Sequence, residues 1–226
     1  MRAPISVVIP VLNSESTLAG CVGALMEGLE AGLIRELIVS DGGSSDGTQV
    51  LAEEIGAVWV SGRPSRGGQL KRGCALAQGE WLLIVHADTQ LSAGWSDVVA
   101  PHLKLASAGY FRLRFAAGGV PAKLVAGWAN LRSTLFGLPY GDQGLLISRA
   151  LYDGVGGYHD MPLMEDVALA RTLKGRLTAL DGFAVTSAEK YEKGGWFRRG
   201  ARNLWTLFRY FAGVPVDQLA ASYRKR

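Results

Sequence analysis

The chain has 226 residues, of which 48% are hydrophobic and 19% charged, and its net charge is +4. Such a composition excludes a disordered chain, and so mild a charge gives no footprint for nucleic acid. The length suits one full-sized domain, with or without an appendage. The run Ile5-Ser6-Val7-Val8-Ile9 reads as a buried strand ended by Pro10. A polar loop over 13–17 then opens a helix over 16–31, with Leu18, Val22, Leu25, Met26 and Leu29 recurring at three- and four-residue steps. A second strand at 33–39 enters the turn Ser40-Asp41-Gly42-Gly43-Ser44-Ser45-Asp46-Gly47-Thr48, followed by a helix over 46–55. A third strand at 58–60, a flexible basic loop at 63–68 and a helix near 67–77 come next. The fourth strand, 81–85, is apolar throughout and stops at His86-Ala87-Asp88-Thr89. Alternation of this kind predicts a mainly parallel sheet with helices on both faces.

Beyond Asp88 the regularity changes. The pattern predicts a helix at 94–105, a half-exposed strand at 110–115, a helix near 120–135 and the turn-rich stretch 137–144. A strand at 145–148, a glycine-rich loop around a short helix at 149–160 and a helix at 164–174 follow. Short strands at 177–180 and 185–187 lead to a basic, aromatic helix at 196–211. Neither Cys21 nor Cys74 has a Cys or His neighbour at metal or redox spacing, so both read as buried reduced thiols. The first strand begins without a basic and apolar leader, and no apolar run nears the roughly 18 residues a span needs, so the expected location is cytoplasmic. Basic residues cluster at 63–72 and 190–209, with a tail at 224–226, and both groups suit phosphates or an anionic membrane surface.

Ligands in open α/β sheets sit beyond the carboxyl ends of the strands, which singles out two places. His86 and Asp88 lie two apart and project to one side of an extended chain. Asp41 sits in a glycine-rich strand-to-helix turn, where a carboxylate can accept from an imide N–H or a ribose hydroxyl. Asp46 in the same turn reads as the cap of the next helix. A second pair of carboxylates, Glu165-Asp166, opens the helix at 164–174, where acidic residues also suit the helix dipole.

Val7-Val8-Ile9-Pro10-Val11-Leu12-Asn13, the Asp41 turn, Arg72-Gly73-Cys74-Ala75-Leu76-Ala77-Gln78-Gly79-Glu80 and the His86-Ala87-Asp88 strand end together resemble the inverting family-2 glycosyltransferases. The resemblance extends through Pro162-Leu163-Met164-Glu165-Asp166 and so covers most of the chain. The His-Ala-Asp-Thr version, with Tyr140-Gly141-Asp142-Gln143-Gly144, further resembles a bacterial subgroup often named for radical-SAM or arsenosugar gene neighbourhoods. The resemblance implies the GT-A fold: an α/β, Rossmann-type, mainly parallel sheet flanked by helices. It implies a catalytic domain over 1–190, with a nucleotide-binding half to about 90 and an acceptor half beyond. Residues 191–226 would be a helical extension packed on the same domain.

The resemblance also implies roles. Asp41 would hold the nucleobase, usually uracil, with Pro10, Val11, Asn13 and Glu15 lining base and ribose. Asp88 would be the last carboxylate of an Asp-x-Asp metal motif for Mn²⁺ or Mg²⁺, with Ala87 beside it in the donor site. His86 stands where the motif has its first Asp, which favours Mn²⁺ over Mg²⁺ or a contact to ribose or phosphate without metal. Lys71 stands where an asparagine is frequent and suits the diphosphate as a point charge. Asp166 would be the general base that takes the acceptor hydroxyl's proton, with Glu165 as its orienting neighbour or as the alternative base. Asp142 and Gln143, between glycines and before a strand, read as contacts to the acceptor or the donor sugar. The donor is expected to be a UDP-sugar and the acceptor a hydroxyl, and the helix at 196–211 suits peripheral contact with a membrane. The alternative function is a non-catalytic sugar-nucleotide binder, motivated by His86. A nucleotidyltransferase ranks below both, because the loop after the first strand, Val11-Leu12-Asn13-Ser14-Glu15, is acidic rather than basic.

Overall fold

In the structure, a computed structural model that describes residues 2–224, the chain is organised on strand β1 (Ile5–Val11). Lys225 and Arg226 of the basic tail lie outside the described residues. Strand β1 pairs in parallel with β2 (Ile34–Asp41) on one side and β4 (Trp81–Ile84) on the other. The strand does not stop at Pro10. The carbonyl of Val8 accepts from Val85 on the β4 side, and Pro10, two residues on, faces the same side. Its last neighbour there, Ile84, pairs with Val8, so the missing N–H of Pro10 costs no ladder bond.

The eight strands run in the order β3-β2-β1-β4-β7-β6-β8-β5. Here β3 is Val58–Ser61, β5 Thr89–Leu91, β6 Ala108–Phe115, β7 Leu145–Ser148 and β8 Leu177–Thr186. The sheet is mainly parallel. Strand β7 is inserted antiparallel between β4 and β6, and β5 runs antiparallel to β8. Strand β8 is one ten-residue strand rather than the expected two, because Asp181-Gly182 passes through a register shift opposite Tyr110/Arg112 without leaving the sheet.

Alternate side chains of the central strands face opposite helical layers. Val7, Ile9, Leu83 and Val85 pack with Leu18, Cys21 and Leu25 of α1 (Glu15–Glu30) and with Trp95 and Val99 of α4 (Trp95–His102). Val8, Ile38, Leu82 and Ile84 pack with Leu70 and Cys74 of α3 (Arg66–Leu76), Tyr152 of α6 (Arg149–Gly154) and Leu169 of α7 (Glu165–Thr172). The short α2 (Thr48–Glu54) lies beside β3, and α5 (Val120–Phe136) covers β6. Cys21 and Cys74 are both free and buried, as their spacing predicts, and burial pushes each thiol up to about 12.

After β8 come α8 (Glu189–Gly194), α9 (Trp196–Phe211) and α10 (Val216–Arg224), of which only α9 is visible as a pattern in the sequence. They are sewn onto the sheet domain. Leu207 of α9 and Leu219 of α10 pack with Leu163, Met164 and Val167, while Tyr191 of α8 and Trp196 of α9 pack on Phe115 and Ala188.

Candidate active site

Asp41 ends β2 and is almost fully buried. Its carboxylate accepts from Gly43 N at 2.7 Å, Ser44 N at 2.9 Å, Ser44 Oγ at 2.6 Å and Ser61 Oγ at 2.8 Å. Burial raises its pKa, but the hydrogen bonds from Ser44, Ser61 and Gly43 outweigh burial and hold the carboxyl below the ordinary carboxylate value. Asp41 thus organises its own loop, and a ligand would have to exchange for one of these donors.

The loop after β1 is stapled to the Asp41 loop. Asn13 Oδ1 accepts from Ser45 N at 2.9 Å, and Glu15 Oε2 accepts from Gly47 N at 2.9 Å. Asn13 takes the left-handed conformation at φ 51°, which its short polar side chain tolerates. Pro10 is partly exposed at the strand end, whereas Val11 is core and its carbonyl accepts from Gly42 N at 2.9 Å. Asp46, expected as the cap of α2, stands one residue before the actual N-cap Gly47 and accepts from Thr48 N at 3.1 Å.

Gln69, which the sequence reading missed, ties this edge together. Its Nε2 donates to Val11 O at 2.7 Å, while Ser40 Oγ donates to Gln69 O at 2.6 Å. Arg72 also turns inward and donates to Asp41 O at 2.9 Å, so it supports the loop's backbone. Lys71 is exposed on α3.

His86-Ala87-Asp88 is not extended. The chain turns at Ala87-Asp88, with Thr89 N donating to His86 O at 3.0 Å, and the premise of a shared strand face is replaced by a tight turn. Ala87 is buried within it. His86 presses against Gly141: a Cβ there would lie 2.5 Å from His86 Nε2. Burial, with Arg66 acting in the same sense, pushes the imidazole down to about 4 against the pull of Asp88 and Asp166. The ring is therefore neutral near pH 7 and able to act as a ligand.

Asp88 pairs with Lys190 of α8, Nζ to Oδ2 3.1 Å. Burial raises the Asp88 pKa, but Lys190 and His86 outweigh it and the carboxyl lies below its ordinary value. An Asp88 oxygen and a His86 nitrogen are donor types that a divalent cation accepts, but the Asp88 carboxylate is held by Lys190. Among the described residues no cluster of three or more His, Cys, Asp or Glu converges to do more.

Asp166 reaches the same edge from α7. Its Oδ2 accepts from Gly141 N at 2.9 Å and its Oδ1 from Val167 N at 2.7 Å. The carboxylate thus fixes the 3₁₀ turn Gly141–Gln143 that abuts His86. Asp142 in that turn has a buried Oδ1 without a hydrogen-bond partner. Burial pushes its carboxyl up to about 6, against the attraction of Arg132 and with the repulsion of Asp166 and Asp88. Gln143, expected to meet the acceptor or the donor sugar, is fully buried instead. Its Oε1 accepts from Ser133 Oγ at 2.6 Å and Arg132 at 3.3 Å, and its Nε2 donates to Phe111 O at 3.2 Å. Nothing of its amide is left for a ligand.

Glu165 is 1% exposed and pairs with Arg66, Nε to Oε1 3.1 Å, while its Oε2 is buried without a partner. Arg66 keeps 47% of its side chain exposed. The expected flexible loop at 63–68 is therefore pinned: Arg66 holds Glu165, Gly67 N donates to Met161 O at 3.0 Å, and Ser65 Oγ donates to Asp160. Just before the two carboxylates, Met164 is left-handed at φ 66°, an unfavourable conformation that sets the angle at which α7 starts.

Burial pushes Glu165 up to about 7, opposed by Arg66 and assisted by Asp166. An acid whose folded pKa is raised binds more protons folded than unfolded, so its contribution to stability falls as pH rises from its unfolded pKa, about 4.5, towards 7. In thermal melts from pH 5 to 7.5, Glu165→Gln should remove that loss, and its curve should fall less steeply than the wild type's. Parallel curves would show that Glu165 titrates normally.

Residues 6–122, more than half of the chain, match the Glycosyl transferase family 2 model. The chain belongs to that family. It is 36% identical over 107 residues to glucosyl-3-phosphoglycerate synthase of Mycobacterium tuberculosis, covering 43% of this chain and 30% of that protein. It is 38% identical over 93 residues to the synthase of Mycolicibacterium smegmatis, covering 37% and 30%. The matched part thus spans about a third of these curated relatives.

Among solved structures, the M. tuberculosis synthase with Mn²⁺ and UDP-glucose superposes with a TM-score of 0.64 at 22% identity, covering 94% of this chain and 80% of that one. The same enzyme with Mn²⁺, UDP and phosphoglyceric acid gives 0.55 at 26% identity, covering 78% and 68%. S. aureus TarS residues 1–349 gives 0.61 at 16%, covering 90% and 64%. These likenesses establish the GT-A fold.

Proposed function

We propose that this chain is an inverting glycosyltransferase that moves a sugar from a UDP-sugar to a hydroxyl acceptor. The observation that carries the reading is the meeting of two chain halves at one sheet edge, where Asp166 fixes the Gly141 turn against His86. A relative 26% identical to this chain holds Mn²⁺, UDP and phosphoglyceric acid, which supports a UDP donor and a divalent cation.

The Asp41 loop, with Pro10, Asn13 and Glu15, receives base and ribose. Asp88 and His86 hold the cation when it is bound, and the cation supplies charge to the leaving diphosphate. Arg66 and Lys190 add fixed positive charge at the same edge. The acceptor oxygen attacks the anomeric carbon, the bond from that carbon to the diphosphate breaks on the opposite side, and the hydroxyl proton passes to Asp166 while UDP leaves.

Calorimetric titration with UDP, with and without Mn²⁺, followed by a transfer assay, tests the reading. Wild-type chain should bind UDP, and Asp41→Ala should weaken binding at least tenfold. The same variant strips an acceptor from four donors and should lower stability by about 1–3 kcal/mol. UDP binding indifferent to Asp41→Ala would overturn its place in the donor site. A second reading, a non-catalytic sugar-nucleotide binder, is motivated by His86 at the first metal position and by Lys190 on Asp88. Binding without hydrolysis or transfer would favour it.

A further inference from the structure

One surface is unused by the reading above. Helix α9 turns Phe197, Leu204, Trp205, Phe208 and Phe211 to solvent, Phe208 being 61% exposed, and Trp205 and Phe208 stack at 5.5 Å. Helix α5 beside it exposes Leu124, Trp128, Leu131 and Leu135. On each helix these residues recur at three-, four- and seven-residue spacing and so form one stripe. The stripes join, because Trp128 and Leu204 line the same cleft between the helices. Apolar surface of this extent on a water-soluble fold marks an interaction site.

The charges around it select the partner. Helix α9 carries Arg198, Arg199, Arg202 and Arg209, and the sequence has no carboxylate between Glu192 and Asp217. Around α5 there is none between Asp97 and Asp142. Lys123 and Arg198, next in sequence to Leu124 and Phe197 of the apolar face, are exposed, while Lys193 is paired with Glu189. A second copy of this chain would bring the basic face of α9 against its like, with Glu192 and Asp217 only beyond the two ends of that helix. Anionic headgroups answer the rim, and acyl chains answer the stripe. No helix among the described residues is long and apolar enough to cross a membrane, so the contact is along the surface.

Besides Trp128 and Leu204, the cleft is lined by Leu113, Arg132, Tyr191 and Asp142, and the Oδ1 of Asp142 is buried without a hydrogen-bond partner. Its lining thus combines apolar side chains with a carboxylate. We infer that α5 and α9 dock on an anionic bilayer, and that the cleft admits an amphiphile whose hydroxyl end meets Asp142. The identity of that amphiphile as acceptor rests on the transferase reading; the docking does not.

Co-sedimentation of the full chain with phosphatidylglycerol/phosphatidylcholine vesicles, against pure phosphatidylcholine, tests the surface. The chain should bind the anionic vesicles and release as NaCl rises. Trp205→Glu with Phe208→Glu, and separately Leu131→Glu with Leu135→Glu, should each weaken binding at least tenfold while leaving UDP binding and the melt unchanged. Equal binding by both double variants, no binding to anionic vesicles at low salt, or a dimer in light scattering that the same variants dissolve would each overturn docking on lipid. Titration with octyl glucoside below its micelle concentration tests the cleft. It should bind at least tenfold tighter than glucose and lose that preference in Leu204→Asp; no preference would overturn the amphiphile. If the transferase reading alone were wrong, UDP binding would fail while both lipid results stood.

Discussion

Asp166→Asn should lower sugar transfer by about 10²–10⁴-fold, the range a positioned general base contributes, with UDP binding within about twofold of wild type. The two effects separate because Asp166 belongs to the acceptor half, while the base and ribose are held by loops after β1 and β2. Its oxygens also accept from Gly141 N at 2.9 Å and Val167 N at 2.7 Å. An asparagine keeps the shape and one of those acceptors but turns an N–H₂ towards the other donor. A stability loss of about 1–2 kcal/mol should accompany the kinetic one, too small to unfold most of the protein. Single-turnover kinetics and a calorimetric titration on the same preparation check both halves. Near-full turnover would move the base elsewhere, and Asp142, with a free acceptor atom and a raised pKa, would be next to test.

The second large effect is structural. Gly67→Ala would place a Cβ 2.0 Å from the carbonyl oxygen of His159 and 2.9 Å from Met161 N. Both are backbone atoms, so no rotamer change relieves the contact. Alanine gains up to about 1 kcal/mol of helix propensity over glycine, but overpacking of this kind costs about 1–3 kcal/mol, and a contact this short belongs at the upper end. Net destabilisation of about 1–2 kcal/mol should lower the melting temperature by roughly 2–8 °C for a chain of this size. Transfer should fall as well, because displacement of residues 159–161 pulls Glu165 from Arg66 and tilts the start of α7. Gly127→Ala in α5, where a Cβ meets nothing within 4 Å, is the control and should melt at or above the wild type. A Gly67→Ala protein melting with that control would contradict the geometry.

The first half of the fold is legible in sequence because its signals are local. Strands β1 to β4 are apolar runs bounded by turn residues, and α1 and α3 carry helical periodicity, so alternation alone yields the parallel sheet. The second half hides its signals. Strand β5 is three residues long, and β8 contains Asp181-Gly182, which reads as a break but is carried through the sheet by its neighbours. Helix α10 has little local pattern; Leu219 is buried because α9 and the loop before α7 reach it.

The candidate site divides the same way. Asp41, Asp88 and Asp166 stand out as carboxylates at strand and helix ends. Lys190 on Asp88, Arg66 on Glu165 and Gln69 on Val11 join residues 102, 99 and 58 positions apart, for which one sequence holds no signal. Gln143 shows the reverse error: a polar residue between glycines suggests an exposed turn, yet its amide ties α5 to β6 from inside.

The tie between Asp88 and the chain beyond β8 bears on how the protein is made. Ser187 N donates to Asp88 O at 3.0 Å, and Lys190 meets the carboxylate itself. A ribosome delivers Asp88 102 residues before Lys190. Throughout that interval of synthesis the nascent sheet has β1, β2, β3 and β4 in hand, but its ligand edge bears a carboxylate with no lysine. Only when β8 has threaded in beside β6 can Lys190 reach Asp88, so this side of the edge is completed by a segment made long after the strands that carry its carboxylate.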